Sequence, residues 1–563
     1  MMPSIKHPDV KKREKNPLKE WTIMVFCAGD NQLSPMIVSQ LKDLKDAGGH
    51  DDVNVLVYFD ANERGIPTRL YSINKHGHRN GHRNGHNGYH NGHNGHSRSF
   101  DTFVQNLASD KLTIHPEDGP AAKEMDRLLN NPDDPDAEPE AIDALSAFIA
   151  YGQEQHKANH YALVLVGHGM IVGNDEFLPD EFPDSSISLT QLGESIKGFR
   201  GKLELLALHS CSMSAIEVAY ELQGKAKYMI ASEGPAFVQG WPYRKLLGKA
   251  FELLNYKAQN GNGNGNGNGK QQSDAYVQIM VEELYKLCSS NGLDFMLSGY
   301  SQDLALISLE EDKFPPLTKA INGLVFQLKT ALKEVSGRQL IQLAHLESQS
   351  YYNESYTDLY DFCFCLIENY KAGNFPDFPE LIAACVEVMK LLDPGDCDKS
   401  KRFNNIVVHS RHFGSQYQYS HGLSVYFPWT KPVGNAKGSA FGRYDKYKFT
   451  TDTRDRNDKD TEKDNSWLSF LKTYLAATER KAREKNADSR TLSRRELSEY
   501  RAGELGPDPN KTSGSTGATC GCVSIKNFPT EDRPIKLKGK KCWMRTLTVN
   551  FNPSKDQQNS GWY

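Results

Sequence analysis

The feature that most constrains this chain is the alternation, in its first half, of short apolar runs with amphipathic segments. Residues 21–28 (WTIMVFCA), 53–60 (VNVLVYFD), 161–166 (YALVLV) and 203–208 (LELLAL) are short and rich in β-branched and aromatic side chains. Continuous apolarity marks strands covered on both faces, as in a parallel sheet. Helical patterns lie between them at 35–47, 141–156 and 189–199, and another at 214–222 follows the fourth run. The alternation predicts an α/β layered fold with a mostly parallel central sheet.

Two of these strands end in reactive chemistry. YALVLV runs into Gly167-His168-Gly169, and LELLAL runs into His209-Ser210-Cys211-Ser212-Met213. Reactive groups of open parallel sheets collect at the carboxyl ends of strands. The interval between the two motifs has room for one crossover helix, so the strands can be immediate neighbours. A cysteine hydrolase needs a thiolate, an imidazole beside it, and backbone N–H groups aimed at the developing oxyanion. Glycines flanking His168 permit a close backbone approach. A helix beginning just after Cys211 predicts a positive N-terminal field that favours the thiolate. Read from the residues alone, a plainer assignment stands beside this one: a buried small hydrophobe at a strand end and an ordinary GHG turn.

Further segments carry a resemblance. The opening WTIMVFCAGDNQL, the strand plus GHG at His168, HSCSMSAIEVAYEL around Cys211, ASEGPAFVQGWPY from Ala231, TDLYDFC from Thr357 and HGLSVYFPW from His421 together resemble the clostripain family of cysteine peptidases. The resemblance runs over about residues 21–429, with the His motif before the Cys motif. It implies a caspase-like α/β/α sandwich and a cysteine endopeptidase acting on protein or peptide substrates. It implies Cys211 as nucleophile, His168 as general acid/base, and the backbone N–H groups of Gly169 and Cys211 as oxyanion donors.

One departure falls at a sensitive place. The family pattern D-x-C has an acid two residues before the nucleophile, thought to help a pocket accept Arg or Lys; here that position is His209. An imidazole does not hold a guanidinium as a carboxylate does, so the implied cleavage after Arg or Lys is in doubt. His209 and, as a substitute acid, Glu233 are the candidate substrate-binding residues; a capping or solvated carboxylate is the plainer role for Glu233. Family members are often matured by cleavage at a basic residue between the two motifs. Residues 173–188 contain none, whereas Lys197, Arg200 and Lys202 follow later and Lys270 closes an Asn-Gly run. Some relatives need calcium, which makes calcium the one cofactor to consider. Asp133-Asp134-Pro135-Asp136 and Asp175, Glu176, Asp180 and Glu181 are acidic clusters, but neither has EF-hand spacing. No metal ligand is assigned.

Composition sets the remaining bounds. Lys+Arg number 67 and Asp+Glu 71, a net charge of −4, which excludes a strong basic field and with it nucleic acid as the simplest partner. No apolar run approaches the roughly 20 residues of a membrane helix, so no membrane partner is expected. The basic N-terminus has no apolar core, which predicts a cytoplasmic location. Ten cysteines are too few for a disulfide scaffold. Low-complexity insertions at 76–99 and 259–273 read as flexible surface segments. His78, His82, His86 and His90 have a spacing that could hold a metal on a helix, but their Gly-Asn filler favours a solvated repeat. The aromatic clusters at 351–364 and 417–429, with Cys363 and Cys365, read as core. The expected organisation is a disordered segment 1–20, a peptidase domain 21–430 and a polar extension 431–563 with one helix and a poorly ordered tail. The rival to an enzyme is a catalytically idle caspase-like scaffold that binds partners.

Overall fold

The structure, a computed structural model, describes residues 17–61, 68–73, 111–130, 138–169, 175–181, 184–199, 203–260, 269–290, 300–352, 354–372, 378–393, 402–430, 440–454, 464–478, 535–537 and 540–542. The His-rich run, most of the Asn-Gly insertion, Asp133–Asp136 and nearly all of the tail lie outside the described residues.

An eight-stranded sheet organises the chain. Its strands are β1 (Lys19–Gly29), β2 (Val53–Ala61), β3 (Arg69–Ser72), β4 (Ala158–Val166), then, after a small hairpin of β5 (Phe177–Glu181) and β6 (Asp184–Ile187), β7 (Leu203–His209), β8 (Tyr228–Ala231), β9 (Gln302–Ser308) and, beyond β10 (Ser350–Tyr351) and β11 (Tyr356–Asp358), β12 (Val407–Phe413). The order across the sheet is β12-β9-β8-β7-β4-β1-β2-β3; β10, β11 and β13 (Ser424–Tyr426) form a separate three-stranded sheet. Strands β8, β7, β4, β1 and β2 are mutually parallel, and β3, β9 and β12 join antiparallel at the edges. The four apolar runs of the sequence are thus β1, β2, β4 and β7. Strand β1 begins at Lys19, inside the segment expected to be disordered up to residue 20.

Alternate residues of each strand feed two cores. Met24, Phe26, Leu163, Leu165, Leu206 and Leu208 face one side; Val25, Val57, Val164, Val166, Leu205 and Ala207 face the other. Among the helices, α1 (Ser34–Ala47) covers the second side with Ile37, Leu41 and Leu44. On the first side lie α2 (Pro120–Leu129), α3 (Ala141–Gln155), α4 (Leu189–Ile196) and α5 (Ile216–Leu222). The second side is completed by α6 (Tyr243–Asn260) and α7 (Gly269–Ser290). The first side is thickened by α8 (Phe314–Ala331), α9 (Val335–Glu347), α10 (Leu359–Lys371) and α11 (Pro379–Leu392). The result is the α/β/α sandwich expected.

The boundary expected at residue 430 needs correction. Three helices beyond it, α12 (Ala440–Tyr444), α13 (Lys448–Thr453) and α14 (Trp467–Thr478), belong to the first core rather than to a polar extension. Tyr444, Phe449, Trp467, Phe470 and Tyr474 are all buried there. Their aromatic side chains are spaced for one helix face, and the charged run separating them hid that signal. Large aromatic groups of this kind contribute heavily to a core. No helix among the described residues is long and apolar enough to cross a membrane.

Candidate active site

The carboxyl ends of β4 and β7 lie side by side, because these strands pair in parallel with Val166 opposite His209. The chain leaves β4 through Gly167-His168-Gly169 and leaves β7 through Ser210-Cys211. Gly169 is pressed onto the Cys211 backbone: a Cβ there would lie 1.7 Å from the Cys211 carbonyl oxygen and 2.7 Å from its nitrogen. No residue but glycine fits at 169, and the close approach is to Cys211 itself. His168 is half-buried. Burial lowers its pKa, so the ring rests neutral. Its Nε2 is buried without a hydrogen-bond partner among the described residues.

Cys211 rests against the segment that follows β8. The Ala236 N–H donates to Cys211 Sγ at 3.3 Å, and the thiol points back to the Ala236 carbonyl at 3.6 Å. The turn after it is tight. Ser212 adopts a left-handed φ of 55°, and its N–H donates to the Gly234 carbonyl at 3.0 Å, while the Ser214 N–H donates to the Ser232 carbonyl at 2.8 Å. Residues 232–236 thus form a ledge under the thiol. Helix α5 starts only at Ile216, four residues past the Ser212 turn's beginning. The helix-field expectation therefore fails: burial dominates and raises the Cys211 pKa, so the resting thiol is protonated.

Sequence and geometry now converge. The profile of the clostripain family (peptidase C11) matches residues 25–387, well over half of the chain and spanning both motifs. The chain belongs to the clostripain family. It is therefore a cysteine-type peptidase. Among solved structures it is similar to an inactive zymogen C11 protease from Parabacteroides distasonis, at 16% identity and a TM-score of 0.44, covering 78% of this chain and 99% of that one. It is also similar to a secreted C11 cysteine protease from Bacteroides thetaiotaomicron in complex with an irreversible peptide inhibitor, at 15% identity and a TM-score of 0.43, covering 73% and 93%. No curated protein matches the chain.

Within this clostripain-family site the two candidate substrate-binding residues are not on a substrate-facing surface. His209 is buried and stacks on Trp241, with ring centroids 4.3 Å apart and planes 4° from parallel. Its Nε2–H donates to the Phe237 carbonyl at 2.8 Å, and the Tyr243 hydroxyl donates to Nδ1 at 2.9 Å. A carbonyl only accepts, so the tautomer is fixed and the ring is neutral. Burial pushes its pKa down to about 4. The expectation that His209 meets substrate is corrected: both nitrogens are committed inside an aromatic box. Glu233 is also fully buried. Its Oε2 accepts the Tyr351 hydroxyl at 3.2 Å and the Gly422 N–H at 2.8 Å. Burial, with Asp358 and Asp303 nearby, holds its pKa well above the ordinary carboxylate range. Glu233 is a buried brace between the ledge and the 420–422 turn, neither the solvated nor the capping carboxylate considered from sequence.

The acidic residues considered for calcium divide. Asp175 accepts the Leu189 N–H at 2.9 Å at the start of α4. Among the described residues no group of three or more His, Cys, Asp or Glu side chains is arranged to hold a metal ion. Cys363 and Cys365 are buried, as are Tyr356, Phe362, Tyr426 and Phe427. The 231–243 motif was singled out from sequence, but its role as a ledge under the thiol and the acid beneath it, Asp303, were missed. Their signals were a glycine after an acid in ASEGP and an aspartate just before the apolar run LALI in QDLALIS.

Proposed function

We propose that this peptidase cleaves internal peptide bonds with a Cys211–His168 pair. The observation that carries the reading is the adjacency of the β4 and β7 ends, with Gly169 packed on the Cys211 backbone. On this reading Cys211 Sγ attacks the scissile carbonyl carbon while its proton passes to His168. The N–H groups of Gly169 and Cys211 bind the oxyanion. His168 then protonates the leaving amine, and water, deprotonated by His168, releases the acyl group. Burial disfavours charge on both resting groups, so the proton moves when substrate displaces water and aligns them. The enzyme acts in the cytoplasm on protein or peptide chains, with neither nucleic acid nor membrane as partner. The near-balanced charge supports the absence of a nucleic-acid partner.

Preference for Arg or Lys is weak on this reading. His209 is neutral and enclosed, and Glu233 is fully buried with Oε2 held by Tyr351 and Gly422. A peptide library varied at the residue before the cut tests both parts. Turnover with poor cleavage after Arg and Lys is the expected result. Strong cleavage after Arg would show that another carboxylate lines the pocket. The raised thiol pKa favours one rival, an idle scaffold. Absence of turnover with and without calcium would decide for it.

A further inference from the structure

Asp303 is the second residue of β9, whose start lies beside the end of β8 because the two strands are antiparallel. Its side chain is almost completely enclosed, at 1% exposure. Both carboxylate oxygens are engaged. Oδ2 accepts the Glu233 N–H at 2.6 Å and Oδ1 accepts the Gly234 N–H at 2.9 Å. The Ser232 hydroxyl donates to the Asp303 carbonyl at 2.8 Å. Three successive residues of the ledge are thereby tied to one aspartate. That same ledge receives the Ser212 and Ser214 N–H groups and touches the Cys211 sulfur through Ala236. Gly234 is what lets the carboxylate close on the backbone. A Cβ there would lie 2.8 Å from Asp303 Oδ1, 3.2 Å from Tyr417 and 3.3 Å from Tyr351.

A buried carboxylate is costly unless its oxygens are satisfied. Charge-assisted bonds to two consecutive backbone N–H groups are among the stronger ways to satisfy it. A neutral amide of the same shape offers only one acceptor oxygen and turns an NH2 toward an N–H. The groups facing the carboxylate are Glu233 on the ledge, Tyr351 on β10, Asp358 on β11, Tyr417 before β13, Tyr285 on α7 and Cys211.

We propose that Asp303 is a positioning residue for the peptidase reaction: by tying down the 232–236 ledge it fixes the seat of the Cys211 thiol. The proposal rests on Cys211 as nucleophile and adds a residue that does not touch substrate. Burial raises the Cys211 pKa, the hydrogen bond with Ala236 opposes that rise, and the Asp303 carboxylate adds to it. Asp303 is itself pushed up to about 7 by burial, against the pull of the two N–H donors, so the effect is read above neutral pH, where the carboxylate is ionised.

The test uses the full chain and the variants Asp303→Asn, Asp303→Ala and Cys211→Ala. The rate of Cys211 alkylation by iodoacetamide is followed against pH by mass spectrometry of the peptide that contains it. Turnover is measured on peptides that differ at the residue before the cut. In the Asp303 variants the alkylation inflection is expected to move down by about one pH unit. The value of kcat is expected to fall roughly tenfold to a hundredfold across all substrates, with KM little changed. A folded variant with an unmoved inflection and an unchanged kcat overturns the proposal. A loss confined to Arg and Lys substrates overturns positioning, because Asp303 would then meet the substrate cation. Should the Asp303 variants not fold, Ser232→Ala removes only the hydroxyl tying the ledge to the Asp303 carbonyl. A severalfold loss of kcat is expected there, and an unchanged kcat overturns the proposal. Turnover persisting in Cys211→Ala would instead overturn the assignment of the nucleophile, a separate failure.

Discussion

Two histidines leave neighbouring strands of the same sheet and meet opposite fates. His168, beyond the end of β4, is half-buried and keeps Nε2 without a partner among the described residues. His209, the last residue of β7, has both nitrogens bonded and its face against Trp241. A ring that must take up and release a proton needs an uncommitted nitrogen. A ring that fixes a strand end needs none. The contrast fits the acid/base role proposed for His168 and a structural role for His209, a distinction that sequence position does not make, since both flank the same rim.

The contrast can be broken or sharpened by substitution. The largest effect is expected in His168→Ala: kcat/KM should fall roughly a thousandfold while thermal stability stays within a few degrees of the parent. If steady-state kinetics show a loss smaller than tenfold, His168 is not the acid/base. Gly169→Ala comes next. Its methyl cannot sit 1.7 Å from the Cys211 carbonyl oxygen, so the turn must move away and one oxyanion donor with it. A loss of roughly a hundredfold in kcat is expected, and near-normal kcat would show that the two backbones need not touch.

The smallest effect on activity, and the largest on stability, is expected at the other ring. His209→Phe strands the Tyr243 hydroxyl and the Phe237 carbonyl. Urea denaturation at pH 7 should show a loss of about 2–4 kcal/mol. The gap should then narrow with acid. The folded pKa of His209 lies at about 4, below the 6.5 of the unfolded chain. As pH falls through this window the unfolded state takes up the proton first, so the parent loses stability that the variant does not. The gap should shrink by about 3 kcal/mol between pH 7 and pH 4. A constant gap would mean that His209 is not held neutral.

The parallel strands and the two motifs were legible in sequence because buried strands leave continuous apolar runs and the reactive groups stand at their ends. Residues 21–28 and 161–166 differ from β1 and β4 by a few terminal residues only. The surroundings of the site were less legible. Nothing in the run HSCSM reveals that Trp241 and Tyr243, carried by a later segment, enclose His209. Nor does an aspartate in QDLALIS reveal two backbone N–H groups waiting for it. The start of α5 was placed too near Cys211, because SAIEVAYEL is helical in pattern throughout and the Ser212 turn is set by contacts with the ledge. Of the C-terminal helices the last was expected, but its place in the core and the two short helices before it were hidden by the charged segment between them, although Trp467 and Tyr474 are almost completely enclosed. What is local in sequence was readable. What depends on partners far along the chain was not.

The most direct test of the whole account is to treat the protein with a peptide carrying an irreversible thiol-alkylating group and to locate the label by mass spectrometry. A single adduct on Cys211, absent in Cys211→Ala and formed far more slowly in His168→Ala, is the result expected from a nucleophile and base meeting at the β4–β7 rim. Labelling at another cysteine, or turnover that survives in Cys211→Ala, would contradict it.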